Sequence, residues 1–360
     1  MRVDQLVPAF HRGDAIGDTA FHMRQFLRSR GFQSDIYCLS CDEELSSVAK
    51  SFSTFPKPHA ADTVILHFAL PSPLTQAFIQ SSGRKVILYH NITPAEFFRP
   101  FSREMERISR VGREELQSLV PHVTLSLADS EFNRQELVGL GFKRAEVFPL
   151  FIDFEKYKKP VNRFMYTLFD DDRVNILFVG RIVPNKRIDA LIKVLFYYKK
   201  YVSSLVRLIV VGKTSSLPKY HESLIRLADS FYLNPEEIVF TGHIPDDELF
   251  ALYKASDVFL SLSQHEGFGL PFVESMIFDL PVVAYNCSAV PYTLGSAGVL
   301  VNDNMRVDQI GELVHTVAHD AELRSKIIRG QRRQLKTYKE KKQERSLIDF
   351  LENIKVSNEK

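Results

Sequence analysis

The stretch Ser261-Leu262-Ser263-Gln264-His265-Glu266-Gly267-Phe268-Gly269-Leu270-Pro271-Phe272-Val273-Glu274 gathers most of the chemistry-bearing residue types in this chain. An apolar run at 258–262 reads as a buried strand, and Pro271 predicts a helix start, since proline lacks only an N–H that the first turn leaves unpaired anyway. Gly267 and Gly269 let the backbone approach a ligand closely. A helix start offers free N–H groups and a partial positive charge, which suit phosphate. Glu266 in the loop and Glu274 in the helix are carboxylates that can accept paired hydrogen bonds from vicinal hydroxyls, such as those of a sugar or a ribose. A solvated loop residue and a dipole-complementing glutamate would explain an isolated pair of acids. They do not explain this strand–glycine–proline–helix order. A second concentration follows the apolar run at 174–179. There Gly180-Arg181 and Lys186 place two cations just past a strand end, where they can grip phosphate.

These residues need a scaffold, and the apolar pattern predicts one. Short runs of Val, Ile, Leu and Phe alternate with stretches of helical period, the signature of a parallel sheet buried on both faces. Strands are expected at 3–7, 33–37, 63–67, 85–90, 124–128 and 145–148. A second series is expected at 174–179, 206–211, 238–241, 258–262, 281–285 and 298–301. Between the first two strands, Phe21, Met23, Phe26 and Leu27 form a helical stripe that Gly31 ends. Two such series in 360 residues predict an α/β protein of two Rossmann-like domains. Expected boundaries are 1–155, a polar linker at 156–173, 174–335, and a last amphipathic helix at 336–360 that packs back towards the first domain.

Composition excludes several classes. Hydrophobic residues make up 45% and charged residues 25%, the balance of an ordinary globular protein rather than a disordered or collagenous one. Forty-six Lys and Arg against 44 Asp and Glu leave +2, which announces no nucleic-acid partner. Three cysteines cannot build a disulfide framework and point to a reducing compartment. The C-x-x-C at Cys38 and Cys41 lacks further soft ligands for zinc and reads as two reduced thiols. The first residues carry no signal segment, and no run nears 18 apolar residues, so a cytoplasmic protein is expected.

Taken together, these motifs resemble the retaining glycosyltransferases of family 4, the glycogen-synthase-like group 1 enzymes with the GT-B fold of two Rossmann-like domains facing across a cleft. The resemblance runs from Ile176 to about Val301. It rests on Gly180-Arg181-Ile182-Val183-Pro184-Asn185-Lys186, Val210-Val211-Gly212-Lys213, Phe240-Thr241-Gly242-His243-Ile244-Pro245, Ala255-Ser256-Asp257 and the glutamate loop. It implies that Arg181, after Gly180, and Lys186 hold the diphosphate of a nucleotide-sugar donor. Glu266 would meet donor-sugar hydroxyls, the amides of Phe268, Gly269 and Leu270 the sugar or phosphate, and Glu274 the ribose. Gly212 and Lys213 would line the nucleotide pocket. In the first half the resemblance is thinner: a glycine loop with Gly13 and Gly17, and His90 near the reacting sugar, with His67 ranked below it. Arg187 departs from the glycine that many relatives carry after the lysine.

The implied activity is metal-independent, retaining transfer of a sugar, a hexose, from a UDP- or GDP-sugar to a hydroxyl of a saccharide or lipid-linked saccharide. No cofactor is expected beyond the donor. Competing readings are another enzyme of the same fold, an epimerase or phosphorylase, and a catalytically silent sugar-nucleotide-binding subunit. A dehydrogenase is disfavoured because no G-x-G-x-x-G follows the first strand of either half. Asp170-Asp171-Asp172 contains a D-x-D but precedes a strand, so it reads as a solvated acidic turn. Residues 324–345 hold ten Lys or Arg against Glu340 and Glu344. This surface, with the aromatic and basic residues at 97–116, leaves open peripheral contact with the inner face of an acidic membrane. Ser130 is expected to cap the helix that follows it.

Overall fold

Alternating buried strands and amphipathic helices build two all-parallel sheets in the computed structural model, which describes residues 2–11, 15–338, 345–349 and 352. The chain divides into two units. The first comprises Met1–Ala95, Glu104–Ile152 and Tyr338–Lys360; the second comprises Glu96–Arg103 and Asp153–Thr337.

The first unit holds β1 (Val3–Phe10), β2 (Ile36–Cys41), β3 (Ala49–Ser51), β4 (Thr63–Phe68), β5 (Arg84–Tyr89), β6 (Leu125–Ala128) and β7 (Ala145–Val147), in the order β3-β2-β1-β4-β5-β6-β7. Every pairing is parallel, so helices must cover both faces. The strands are correspondingly apolar: Val3, Leu6, Ile65, Leu66, Val86, Ile87 and Leu88 are fully buried. Leu347, from the last described helical stretch, packs in the same core as Val3, Met23 and Leu125. The expected strand at 33–37 begins later, at Ile36. Gln33 makes only an isolated bridge to Arg2, and Ile36, Tyr37 and Cys38 supply the buried side chains. Cys38 and Cys41 are free thiols.

The second unit holds β8 (Val174–Val179), β9 (Val206–Val211), β10 (Ile238–Gly242), β11 (Val258–Ser261), β12 (Val282–Tyr285) and β13 (Val299–Val301), in the order β10-β9-β8-β11-β12-β13. Glu96–Arg103 groups with this unit, and Phe101 there sets its ring against Tyr220 at 5.0 Å. In both sheets the chain runs outward one way from the first strand and then restarts on its other side. That reversal opens a crevice at the carboxyl ends of the two central strands, the usual ligand position in open α/β sheets. In the second unit these strands are β8 and β11, and their carboxyl ends lead into the Arg181 loop and the Glu266 loop. Among the described residues no helix is long and apolar enough to cross a membrane.

Candidate functional site

At the carboxyl end of β8, Gly180 and Gly212 let two loops cross at close range. A Cβ on Gly212 would stand 1.9 Å from the Gly180 carbonyl oxygen, so neither loop could follow its path past a side chain there. Arg181 follows, exposed. The chain then tightens into a 3-10 turn at Pro184–Lys186, and Arg187 takes the left-handed conformation (φ 52°) before the helix Ile188–Tyr201. Arg187, the departure from the resembled pattern, adopts the left-handed backbone that glycine favours, with its guanidinium held by Asp189 at 3.0 and 3.2 Å. The departure in residue type therefore leaves the loop shape intact.

Three bonds tie this loop to the one after β11. The Lys186 ammonium donates to Glu266 Oε2 at 2.6 Å, with the two side chains only 15% and 10% exposed. Asn185 Nδ2 donates to the His265 carbonyl at 3.0 Å, and the Gln264 amide donates to the Asn185 carbonyl at 2.7 Å. From the other side, the Glu266 amide donates to Ser288 Oγ at 2.8 Å. Asn185 is buried, and its Oδ1 accepts nothing from the described residues. Nearby, Cys287 donates from Sγ to the Ser263 carbonyl at 2.9 Å, and burial pushes its thiol up to about 11. A thiol so protonated is no nucleophile at neutral pH.

The helix Leu270–Ile277 starts directly after Gly269, which sits at φ 86°. A Cβ there would come within 2.4 Å of the Phe272 ring. Thr293 Oγ1 donates to the Phe268 carbonyl at 2.5 Å and fixes the loop just before the helix. Leu270 and Gly269 are half-buried and Phe268 is buried. Glu274 lies one turn on and is turned inward. Its Oε1 accepts from the Tyr157 hydroxyl at 3.1 Å and its Oε2 from the Tyr253 hydroxyl at 2.8 Å. Phe278 packs against both tyrosine rings. Burial raises the Glu274 carboxyl above its ordinary value, and the two phenol donors pull it the other way. Lys213 is exposed beyond Gly212.

The second unit thus brings Gly180 and Gly212 together, and Lys186 with Glu266. Glu274 is joined to a tyrosine pair that the sequence reading did not include. The first unit holds the rest. Gly13 lies outside the described residues. Gly17, in the first turn of the helix Ala15–Ser29, lies against the end of β1, where a Cβ would stand 2.7 Å from the His11 carbonyl. His90, just past β5, is one link in a buried chain of polar groups. Gln5 donates from Nε2 to the Ala20 carbonyl at 3.0 Å, which leaves its Oε1 to face His67 Nε2 at 2.9 Å. That nitrogen must carry the proton, so His67 Nδ1 accepts from His90 Nε2 at 3.0 Å, and His90 Nδ1 shares a proton with Asp129 Oδ2 at 3.0 Å. Burial, with His90 beside it, pushes His67 well below its ordinary value, and burial raises Asp129. Both ring nitrogens of His90 are engaged within the protein. Ser130 caps the following helix by accepting from the Asn133 amide at 3.2 Å.

Sequence reasoning assigned no role to Asn185, Ser288, Tyr157, Tyr253, Gln5 or Asp129. One signal was available: His67, His90 and Asp129 all stand at or next to the carboxyl ends of the neighbouring strands β4, β5 and β6. The acidic run at 170–172 is an exposed bend before β8, and within it Asp171 is held by Arg173 and Arg207 at 2.9 and 2.6 Å.

Residues 163–334 match the family model described as glycosyl transferases group 1. The chain is 28% identical over 210 residues to the serotype-specific mannosyltransferase WbdA of Escherichia coli, a match that takes in 58% of this chain and 24% of that protein. It is 26% identical over 210 residues to the D-inositol 3-phosphate glycosyltransferase of Mycolicibacterium smegmatis, taking in 56% of this chain and 46% of that one. The chain therefore spans about a quarter of the first relative's length and less than half of the second's. Among solved structures, sucrose-phosphate synthase from Thermosynechococcus elongatus superimposes with a TM-score of 0.75 at 14% identity, over 99% of this chain and 100% of the other. Anabaena Alr3699/HepE in complex with UDP-glucose gives 0.72 at 16% identity, over 98% and 100%. Such likeness establishes the fold, that of the GT-B glycosyltransferases. Residues 163–334, which include the loops that carry Lys186 and Glu266, thus resemble the group 1 glycosyl transferases.

Proposed function

We propose that this chain is a retaining, metal-independent glycosyltransferase of family 4 that moves a hexose from a UDP- or GDP-sugar to a hydroxyl of a saccharide or lipid-linked saccharide. The observation that carries the reading is the Lys186–Glu266 pair at the carboxyl ends of β8 and β11, where an open α/β sheet takes its ligand. It joins a phosphate-seeking cation to a hydroxyl-seeking carboxylate within one small site. The printed activities of the relatives, a mannosyltransferase and an inositol-phosphate glycosyltransferase, and the UDP-glucose complex of a structural neighbour support the same class.

In this reading Arg181, Lys186 and the N-terminus of the Leu270–Ile277 helix stabilise negative charge as it develops on the leaving diphosphate. Three positive elements supply what a divalent cation would otherwise supply. Glu266 orients the donor sugar through its hydroxyls. Glu274 keeps two of its roughly four acceptor positions after the tyrosines are counted, enough to meet ribose hydroxyls. Gly212 and Lys213 line the nucleotide, Gly13 and Gly17 serve donor phosphate or acceptor as the resemblance implies, and His90 acts through the buried chain in which it is held.

The test is direct. A panel of nucleoside diphosphates and their sugars should include at least one that raises the melting temperature, since a ligand that binds only the folded form stabilises it by about 2.7 kcal/mol at a hundred times Kd. Lys186→Ala should abolish most of that shift and lower transfer about a hundredfold or more, the usual scale for a lost oxyanion partner. Full transfer by this variant overturns the assignment.

A further inference from the structure

Lys186 and Glu266 are each other's partner, at 2.6 Å and mostly buried. We propose that Glu266 is a selectivity element that makes the site reject a free nucleoside diphosphate in favour of the intact nucleotide sugar. The inference rests on the donor-site reading above and deepens it.

The two halves of a donor act on this pair in opposite ways. A diphosphate drawn to Lys186 brings negative charge beside a carboxylate that already sits against the same ammonium. The carboxylate must then either share its cation with an anion or give it up, and a mostly buried charge that loses its partner is costly. The sugar reverses this. Its hydroxyls are hydrogen-bond donors, and a carboxylate is an acceptor-only group that can take two of them at once. An intact donor therefore supplies a new partner to each member of the pair. A nucleoside diphosphate supplies one to Lys186 alone.

The backbone that carries Glu266 is fixed, so only its side-chain torsions can move the carboxylate. Its amide is held by Ser288 Oγ at 2.8 Å, its carbonyl accepts from the Ala289 amide at 3.3 Å, and the preceding His265 carbonyl is held by Asn185. The discrimination falls on the correct pair of species, because the sugar-free diphosphate is the product of transfer. The carboxylate that reads the sugar before reaction becomes the charge that expels the nucleotide afterwards, and Lys186 recovers its partner as the product leaves.

The experiment measures dissociation constants for UDP, GDP and a set of their hexose conjugates by calorimetry, with the wild-type protein, Glu266→Gln and Ser288→Ala. Gln keeps the shape and removes the charge, so it should tighten the free diphosphate about tenfold while intact donor changes little or weakens. The ratio of the two constants should collapse accordingly. Ser288→Ala keeps the charge but loosens its anchor, and it should move the ratio part of the way. Product inhibition of transfer should rise in step with the Gln variant. If the wild type binds donor and the ratio is the same in Glu266→Gln, the selectivity role is overturned while the donor site stands. If the wild type binds none of these nucleotides, the donor-site reading itself falls and takes this inference with it.

Discussion

Replacing Glu274 separates what the buried carboxylate does for the fold from what it does for a nucleotide. Its oxygens satisfy two phenols, Tyr157 and Tyr253, in a site lined by Phe250 and Phe278. Glu274→Ala takes the carboxylate acceptor away from both buried hydroxyls, at about 1–3 kcal/mol each, so the loss is roughly 2–6 kcal/mol before any relaxation. At roughly 2–4 °C per kcal/mol for a unit of this size, the melting temperature should fall by about 5–20 °C. Glu274→Gln keeps one carbonyl acceptor and the shape. It loses charge assistance but also sheds the cost of burying a charge, so its change at neutral pH should be near 1 kcal/mol. The pH dependence has a definite sign. Because the carboxyl is raised in the folded protein, the fold holds the proton more tightly than the unfolded chain does. That contribution is complete below the unfolded value of 4.5 and is lost as pH rises through the folded value. Thermal scans from pH 4 to 8 should therefore show Glu274→Gln gaining on the wild type as pH rises. An Ala variant that melts within about 2 °C of the wild type, or a Gln-to-wild-type gap that ignores pH, would refute the reasoning.

Two further outcomes follow from the same physics. His67 is buried and neutral, with its titration pushed well below 6.5, so its contribution to stability is complete above pH 6.5 and drains away below it. Urea unfolding at pH 7 and pH 5 should show a loss from this group of up to about 1.4 kcal/mol per pH unit, absent in His67→Gln; equal slopes would mean that His67 takes up its proton inside the fold. Gly269→Ala and Gly31→Ala both put a side chain at positive φ (86° and 80°), yet only the first meets a neighbour, the Phe272 ring at 2.4 Å. Gly31→Ala should cost about 1–2 kcal/mol. Gly269→Ala should cost clearly more and weaken nucleotide binding as the helix start shifts, and equal melting temperatures for the two would show that the Phe272 contact is harmless.

What could be read from the sequence, and what could not, divides by the range of the interaction. Local strand, turn and helix signals located the loops at Gly180–Lys186 and Glu266–Leu270, because the glycines and prolines that mark them lie within the motif itself. Pro184, Pro271 and the left-handed Gly269 are local facts. The strand β3 escaped because Ala49-Lys50-Ser51 has only one buried residue, so no apolar run marks it. It forms because β2 offers an unpaired edge. The partners of the site residues escaped for a different reason. Tyr157 reaches Glu274 across 117 positions, and Asp129 reaches His90 across 39. Hydrophobic period identifies which strand a residue ends, but not which neighbour its side chain meets.

That limit alters the chemistry assigned to individual residues. A histidine at a strand end reads as a free acid, base or hydrogen-bond donor until its neighbours are known. Here Asp129 and His67 take both nitrogens, and the Gln5 amide dictates which one carries the proton. Any contribution His90 makes to catalysis must then pass through the position and charge of that buried chain rather than through an open nitrogen. The same logic separates the two glutamates of the motif. Glu266 is paired with a cation that a phosphate can claim, so its partnership can change during a reaction cycle. Glu274 is paired with two phenols inside an aromatic cluster, and nothing anionic can displace those donors. One glutamate is therefore placed to change partners when the ligand binds, while the other keeps its phenol donors and has only its remaining acceptor positions to offer a ligand.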